Sequence, residues 1–348
     1  MKLTKSEIKP NKKRKTVIKE QKSLVSVIVA SYNHAEYLSQ RMNGLLAQSY
    51  KNMEIIVIDD KSSDNSLEVL SKYHSEPTVK IIAREQNSGW INVSNYGAEI
   101  ASGEYIIFAN CDDDCDPLMI ERLVEGLEEK SSAGVAYCRS ILIDPENNVL
   151  GDDFEGRETA FKQKCSSDTL ISGKEMGKFL LDSCVIPNLS AVLIRKDCFS
   201  FVGGLTKNYL VCGDWEFFFK IAEQFDFFYI IEPLNKFRQH GTTIRSQTKG
   251  RIVLDEYFRL LSGEIKKIDL NFFEKVYYRV HLLKMWSLHF FRNPYFGIQN
   301  FFFHLVRLFR LDMVSVLLVP AGFIAGFSEV VKILWKKIKV RNKSNVNK

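Results

Sequence analysis

The sequence predicts an α/β fold: a mostly parallel central sheet with flanking helices, followed by a helical C-terminal region. Two observations lead there. Between residues 24 and 138 short β-branched runs alternate with helical stretches, and beyond about residue 250 the apolar period turns helical.

The elements follow in order. Leu24–Ala30 (LVSVIVA) is a continuous apolar run, the pattern of a strand buried on both faces. Residues 35–48 read as helix, and Glu54–Asp59 (EIIVID) as a second buried strand. Asp64–Tyr73 reads as a short helix with Asp64 as its N-cap. Thr78–Ala83 is a third strand, Ile91–Ala101 a helix, and Glu104–Ala109 a fourth strand. Pro117–Lys130 reads as a helix capped by Asp116, with Pro117 at its first position. Gly134–Cys138 fits a fifth strand, residues 140–210 are irregular, 214–224 is helical and 226–232 is a strand.

Composition narrows the class. Of 348 residues, 45% are hydrophobic and 26% charged, which excludes a disordered chain, a collagen or a polytopic membrane protein. The seven cysteines are odd in number and lack CxxC spacing, so neither a disulfide framework nor a zinc site is indicated. No signal peptide opens the chain, and a reducing, cytoplasmic compartment is expected.

Charge is uneven. Residues 1–22 carry nine Lys/Arg against Glu7 and Glu20, and residues 332–348 carry seven with no acid. Each end is therefore +7, and a total of +6 leaves the body at −8. Three regions are expected: a basic disordered tail at 1–22, a catalytic domain at 23–250, and a helical region at 251–348. A basic tail is either solvated or drawn to an anionic surface. Nucleic acid is excluded as a partner, because the body has no basic stripe with interleaved aromatics.

In open parallel sheets ligands bind beyond the carboxyl ends of the strands. Strand one ends in Ser31-Tyr32-Asn33-His34 and strand two in Asp59-Asp60. Strand four ends in Asn110-Cys111-Asp112-Asp113-Asp114-Cys115-Asp116. Turn chemistry accounts for Asp64 and Asp116. It accounts poorly for Asp112 and Asp113, whose adjacent carboxylates call for a compensating cation. GxGxxG after strand one and GxxxxGK[ST] are both absent, which removes dinucleotide oxidoreductases and P-loop enzymes. Acids without a glycine cradle suggest a diphosphate held through a divalent metal.

These residues carry a family resemblance. VSVIVASYNHAEYLSQRMNGLLAQSYKNMEIIVIDDKSSDNSLEVL resembles the opening of family 2 glycosyltransferases of bacterial surface-polysaccharide type, which have the GT-A fold. NSG at 87–89, NYGAEIASGEYIIFANCDDDCDP at 95–117, GDWEFFFKIA at 213–222 and FRQHGTTIRS at 237–246 follow in the family's order. The resemblance covers about 23–250. It implies an inverting transferase that uses a nucleotide-diphosphate sugar, a UDP-sugar being favoured, with Mg²⁺ or Mn²⁺.

Carried over by motif, Ser31, Tyr32, Asp60, Asn87, Asn110 and Asp112 are expected to bind the nucleotide. Tyr32 would pack by the base and Asp60 would read it. Asn110-Cys111-Asp112 matches the DxD motif, so Asp112 is the expected metal ligand and Asn110 a departure that keeps an oxygen donor. Asp113 is expected to border the donor sugar or the acceptor. Asp214 matches the general base of the ED motif, with Gly213 in place of the usual Glu. Trp215 is a candidate acceptor contact, with core packing as its alternative. Arg238 and His240 match the RxH motif, Arg238 toward donor or acceptor and His240 toward the metal or the diphosphate. His34 gains no support beyond lying beside the nucleotide loop.

The C-terminal hundred residues are aromatic. Arg307 and Arg310 are expected on one helical face. The uncharged run MVSVLLVPAGFIAGFS falls short of the roughly 20 residues that span a bilayer. With Trp335 and the following basic run it predicts a membrane-surface anchor, against the alternative of a bundle packed on the catalytic domain. Docking at the inner face of the cell membrane would suit a glycan or polyprenyl-linked acceptor. Two other classes stay open: a catalytically inactive nucleotide-sugar-binding module, favoured by Asn110 and Gly213, and a nucleotidyltransferase, which would need a glycine- and basic-rich loop after strand one.

Overall fold

The computed structural model describes residues 22–241 and 244–346; of the tail expected as disordered at 1–22, residues 1–21 lie outside them. Ten strands form one sheet. They are β1 (Val25–Ser31), β2 (Met53–Asp59), β3 (Val79–Ala83), β4 (Tyr105–Phe108), β5 (Asp114–Cys115), β6 (Ala133–Ile143), β7 (Val149–Asp152), β8 (Thr169–Ile171), β9 (Val192–Arg195) and β10 (Asp226–Arg238). Their order is β3-β2-β1-β4-β9-β6-β10-β5, with β7 on β6 and β8 on β10.

The first half of the sheet is parallel, as the alternating strand and helix pattern predicts. The second half is mixed: β9 runs antiparallel to both β4 and β6, while β6 and β10 are parallel. Four of its strands, β7 to β10, arise from the stretch after residue 140, where the sequence shows little β-α rhythm.

Helices cover both faces. They are α1 (Ala35–Leu46), α2 (Ser66–Ser71), α3 (Trp90–Ile100), α4 (Met119–Glu129), α5 (Thr159–Lys164), α6 (Gly173–Asp182), α7 (Lys196–Phe201), α8 (Gly213–Ala222) and α9 (Ile244–Gln247). The C-terminal set is α10 (Gly250–Lys267), α11 (Phe272–Arg292), α12 (Pro294–Leu311), α13 (Met313–Leu317) and α14 (Val319–Val346). Val27 and Val29 face Leu38 and Met42 of α1, while Ile28 faces Val93 and Ala98 of α3. Burial on both sides explains the unbroken apolar run of β1, and each such side chain contributes about 1.5–3 kcal/mol.

Two expected caps are corrected. Asp116 accepts from the Leu118 amide at 2.9 Å and forms a turn, so α4 starts at Met119 and Pro117 precedes it. Asp64 accepts from the Ser66 and Ala35 amides, each at 3.0 Å, and so ties the start of α2 to the start of α1. Its carboxyl is held below the usual range: burial opposes this, and the bonds from Ser66 and Ala35 outweigh it.

One apolar core runs across the expected boundary at 250. Trp215 and Phe217 of α8 share it with Phe258 and Leu261 of α10 and Trp286 of α11. The glycines of the uncharged run serve helix packing: a Cβ at Gly322 would lie 2.2 Å from Leu283 Cβ, so α14 sits directly on α11. Arg307 and Arg310 part company. Arg307 turns inward to pair with Asp255 of α10, and Arg310 is exposed.

Candidate active site

The site forms where the ends of β1, β2 and β4 meet the end of β10. After β1 the chain turns through Asn33, whose φ of 53° is the left-handed conformation that asparagine tolerates. Asn33 Oδ1 accepts from the Ser63 amide at 2.7 Å, and its own amide donates to Ser62 Oγ at 3.0 Å. This staple fixes His34. His34 Nδ1 donates to the Tyr32 carbonyl at 2.7 Å, because a carbonyl can only accept. Its Nε2 is then the lone-pair nitrogen, and it is buried without a hydrogen-bond partner.

Asp112 follows β4. The antiparallel pairing of β10 with β5 aligns Lys236 with Asp114 and carries the end of β10 past the acidic turn. His240 Nε2 donates to Asp112 Oδ2 at 2.8 Å. Burial opposes ionisation of Asp112, but the His240 hydrogen bond and the nearby imidazoles hold its carboxyl below the usual range. Ligand-capable atoms of His34, Asp112 and His240 all lie within 4.8 Å of one another. Two imidazoles, one carboxylate and a buried unpartnered nitrogen fit a divalent cation. Tyr37 packs its ring 5.5 Å from that of His240 and 4.8 Å from the Arg238 guanidinium.

Three expected donor or acceptor contacts are corrected. Arg238 is only 1% exposed. Its guanidinium donates to the carbonyls of Asp112, Asp144 and Pro145 and to the side chains of Gln40 and Asn147. It fastens the acidic turn to β10 instead of reaching a sugar. Asp113 is equally buried. It accepts from Ser190 Oγ at 2.6 Å, Asn188 Nδ2 at 2.7 Å and the Arg238 amide at 3.0 Å. Held by these donors it lies under the site and not along it, and burial with the Asp112 charge pushes its carboxyl up to about 7. Trp215 is 3% exposed and donates Nε1 to the Leu180 carbonyl at 3.0 Å, which is the core-packing alternative.

Asp60 lies buried under the NSG loop. Both of its oxygens accept from the Ser88 amide, and Oδ2 accepts from the Gly89 amide at 2.7 Å. Gly89 has φ +83°, which the NSG glycine makes possible. The acid therefore anchors the loop. Asn87 at that loop and Tyr32, 45% exposed, remain open to a ligand. Ser31 is buried and donates to Asp59 at 3.4 Å. Asn110 donates Nδ2 to Asp113 at 3.2 Å, an interaction that a second carboxylate at this position would turn into repulsion.

Asp214 is half-buried in the first turn of α8, at the positive end of the helix dipole. Gly213 beside it approaches Trp90 and Ile91, so α8 begins against the start of α3 and the NSG loop. A Cβ at Gly213 would meet neighbours at 3.6 Å or more, which is ordinary contact. The loop before Asp214 is held from the C-terminal region. Glu256 of α10, buried, accepts from the amides of Leu210, Val211 and Cys212. The sequence reading missed His34, Tyr37 and Glu256. The first two lie in or beside the SYNH segment, and Glu256 carries no local signal.

A sheet with a parallel first half, a mixed second half and helices on both faces is the GT-A arrangement. Residues 26–169 match the family model described as glycosyl transferase family 2. GlyG of Streptococcus pneumoniae, named a glycosyltransferase, is 31% identical over 184 residues, 51% of this chain and 58% of its own. TuaG of Bacillus subtilis, named a putative teichuronic acid biosynthesis glycosyltransferase, is 34% identical over 113 residues, 32% of this chain and 45% of its own. The chain thus spans about half the length of these curated relatives. The crystal structure of S. aureus TarS 1–349 in complex with UDP-GlcNAc superposes with a TM-score of 0.62 at 18% identity. That likeness covers 90% of this chain and 92% of TarS 1–349 and shows a shared fold.

Proposed function

We propose that the protein is an inverting glycosyltransferase that moves a sugar from a nucleoside diphosphate donor to a hydroxyl of a glycan or lipid-linked acceptor. The observation that carries this reading is the Asp112–His240 pair at 2.8 Å, beside the exposed Tyr32. Tyr32 offers a face to the base, and Asn87 borders the same loop. Asp112 and His240 would hold a divalent cation, which when bound offsets charge on the leaving diphosphate. Mg²⁺ and Mn²⁺ are the candidate ions. Asp214 accepts the proton of the acceptor hydroxyl as it attacks the anomeric carbon from the face opposite the nucleotide. Attack from that face inverts the configuration. The UDP-GlcNAc complex of TarS supports a UDP-sugar donor, and TuaG supports a cell-envelope polysaccharide as product.

The C-terminal helices support docking on a membrane surface at the inner face of the cell membrane. Tyr295, Ile298, Phe302 and Phe309 of α12, Leu317 of α13 and Ile324, Phe327 and Trp335 of α14 are exposed. Seven Lys/Arg follow from Lys332 to the end of the chain. Among the described residues no helix is long and apolar enough to cross a membrane. An apolar surface with a basic flank suits an anionic lipid interface.

Calorimetric titration with UDP, GDP, dTDP and CDP, each with Mn²⁺ and with EDTA, tests the donor assignment. Metal-dependent binding of one nucleotide is expected; binding of none would overturn it.

A further inference from the structure

We propose that His34 is a third protein ligand of the cation, so that this chain binds a first-row transition ion without a nucleotide and prefers it to Mg²⁺. The inference rests on the metal-assisted reading above and deepens it.

Three observations carry it. First, the tautomer is fixed. The Tyr32 carbonyl takes the Nδ1 proton at 2.7 Å, which leaves a lone pair on Nε2. A ligating histidine commonly donates its other ring N–H in this way, and that bond orients the ring. Second, Nε2 is buried with no partner, although a neutral imidazole nitrogen in that position is a strong acceptor. The staple from Asn33 to Ser62 and Ser63 holds the ring there, so the nitrogen is aimed and not merely left over. Third, ligand-capable atoms of His34, Asp112 and His240 all lie within 4.8 Å of one another, and the His34 ring stands edge-on to that of His240 at 5.6 Å. Donors bound at about 2.1 Å on adjacent corners of a coordination sphere lie about 3 Å apart. The 2.8 Å between His240 and Asp112 already meets that spacing.

Ligand number and ligand type then set the behaviour. A site with one carboxylate and one imidazole leans on nucleotide phosphates to complete its cation. A site with two imidazoles and a carboxylate holds one by itself. Imidazole favours the later first-row ions, whereas Mg²⁺ prefers oxygen and water.

The test uses full-length protein and Mn²⁺ alone, followed by electron paramagnetic resonance. Electron spin-echo modulation counts the imidazole nitrogens bound directly to Mn²⁺. Two are expected in the wild type. Mg²⁺ should displace Mn²⁺ only at much higher concentration. In His34→Gln one nitrogen should be lost and Mn²⁺ affinity should fall about 10–100-fold, with the metal-free melting temperature unchanged. A single nitrogen in the wild type would overturn the proposal even if the variant fails to fold. So would affinity within twofold in His34→Gln, or equal competition by Mg²⁺. Because no nucleotide is present, the result is separate from donor binding. Two nitrogens here, together with no binding of any nucleotide in the calorimetric titration, would leave this inference standing and remove the transferase reading.

Discussion

His240 Nε2 lies 2.8 Å from Asp112 Oδ2, although 128 residues separate them in the chain. The antiparallel pairing of β10 with β5 brings them together, and the Arg238 guanidinium locks the approach by gripping the Asp112 carbonyl at 2.7 Å. If this pair holds the cation that meets the diphosphate, Asp112→Asn should weaken nucleotide binding in Mn²⁺ to the level seen in EDTA. Calorimetry reads this directly, and unchanged affinity in Mn²⁺ would separate Asp112 from the metal.

Asp214 is assigned to the chemistry and not to binding. Asp214→Asn should lower turnover by about 10²–10⁴-fold, the usual worth of a general base. The Kd for the nucleoside diphosphate should stay within twofold. Initial-rate kinetics beside calorimetry check both halves, and an active variant would remove the assignment.

Glu256 extends the site into the helical region. Its carboxylate holds the amides of Leu210, Val211 and Cys212 immediately before Gly213 and Asp214. Loss of a buried acceptor for several donors typically costs about 2–4 kcal/mol. Glu256→Ala should therefore lower the melting temperature. Glu256→Gln should restore part of that stability while kcat stays low and the nucleotide Kd is unchanged. Recovery of kcat in step with stability would make Glu256 a purely structural residue.

The parallel half of the sheet was legible in the sequence, because a strand buried on both faces must be apolar throughout, as in VSVIVA. The mixed half was not. β9 and β10 owe their direction to partners far along the chain, and no local period encodes that. Motif register singled out Asp112 and His240, which the structure brings together, and it carried Asp113, Trp215 and Arg238 over as donor or acceptor contacts. Their side chains instead satisfy buried amides, carbonyls and hydroxyls. A polar residue at a strand end looks the same in sequence whether it faces a ligand or the backbone beneath it. His34 escaped for the opposite reason: only the bond to the Tyr32 carbonyl and the burial of Nε2 without a hydrogen-bond partner distinguish it.

The helical region should carry an acid-sensitive stability. His304 is buried against Phe258 and Trp286, and neither ring nitrogen has a hydrogen-bond partner. Burial, with His289 and Arg251 nearby, pushes its imidazole down to about 4 from 6.5. The unfolded chain binds the extra proton between those values. The stability due to neutral His304 is full above about pH 6.5 and is lost as pH falls toward 4. His304→Leu should therefore lose less melting temperature between pH 7 and pH 5 than the wild type does. Part of the dependence should persist, since burial also holds His281 and His289 low. An identical pH profile in the variant would exclude His304 as a source.

The exposed aromatics of α12 and α14 predict lipid binding. Flotation with vesicles containing anionic lipid should recover the wild type, and high salt should weaken recovery. Burying one large apolar side chain contributes about 1.5–3 kcal/mol, so Phe302→Glu with Trp335→Glu should reduce recovery about tenfold or more. Equal flotation of the double variant would assign those residues another role.

The central claim is metal-assisted sugar transfer from a nucleoside diphosphate donor, and donor turnover tests it most directly. Purified protein would be incubated with UDP-, GDP-, dTDP- and CDP-sugars, with Mn²⁺ or with EDTA, and release of free nucleoside diphosphate followed over time. The account predicts release from one nucleotide class, dependent on Mn²⁺ and abolished in Asp214→Asn. Release from no donor, or release that persists unchanged in EDTA and in Asp214→Asn, would contradict it.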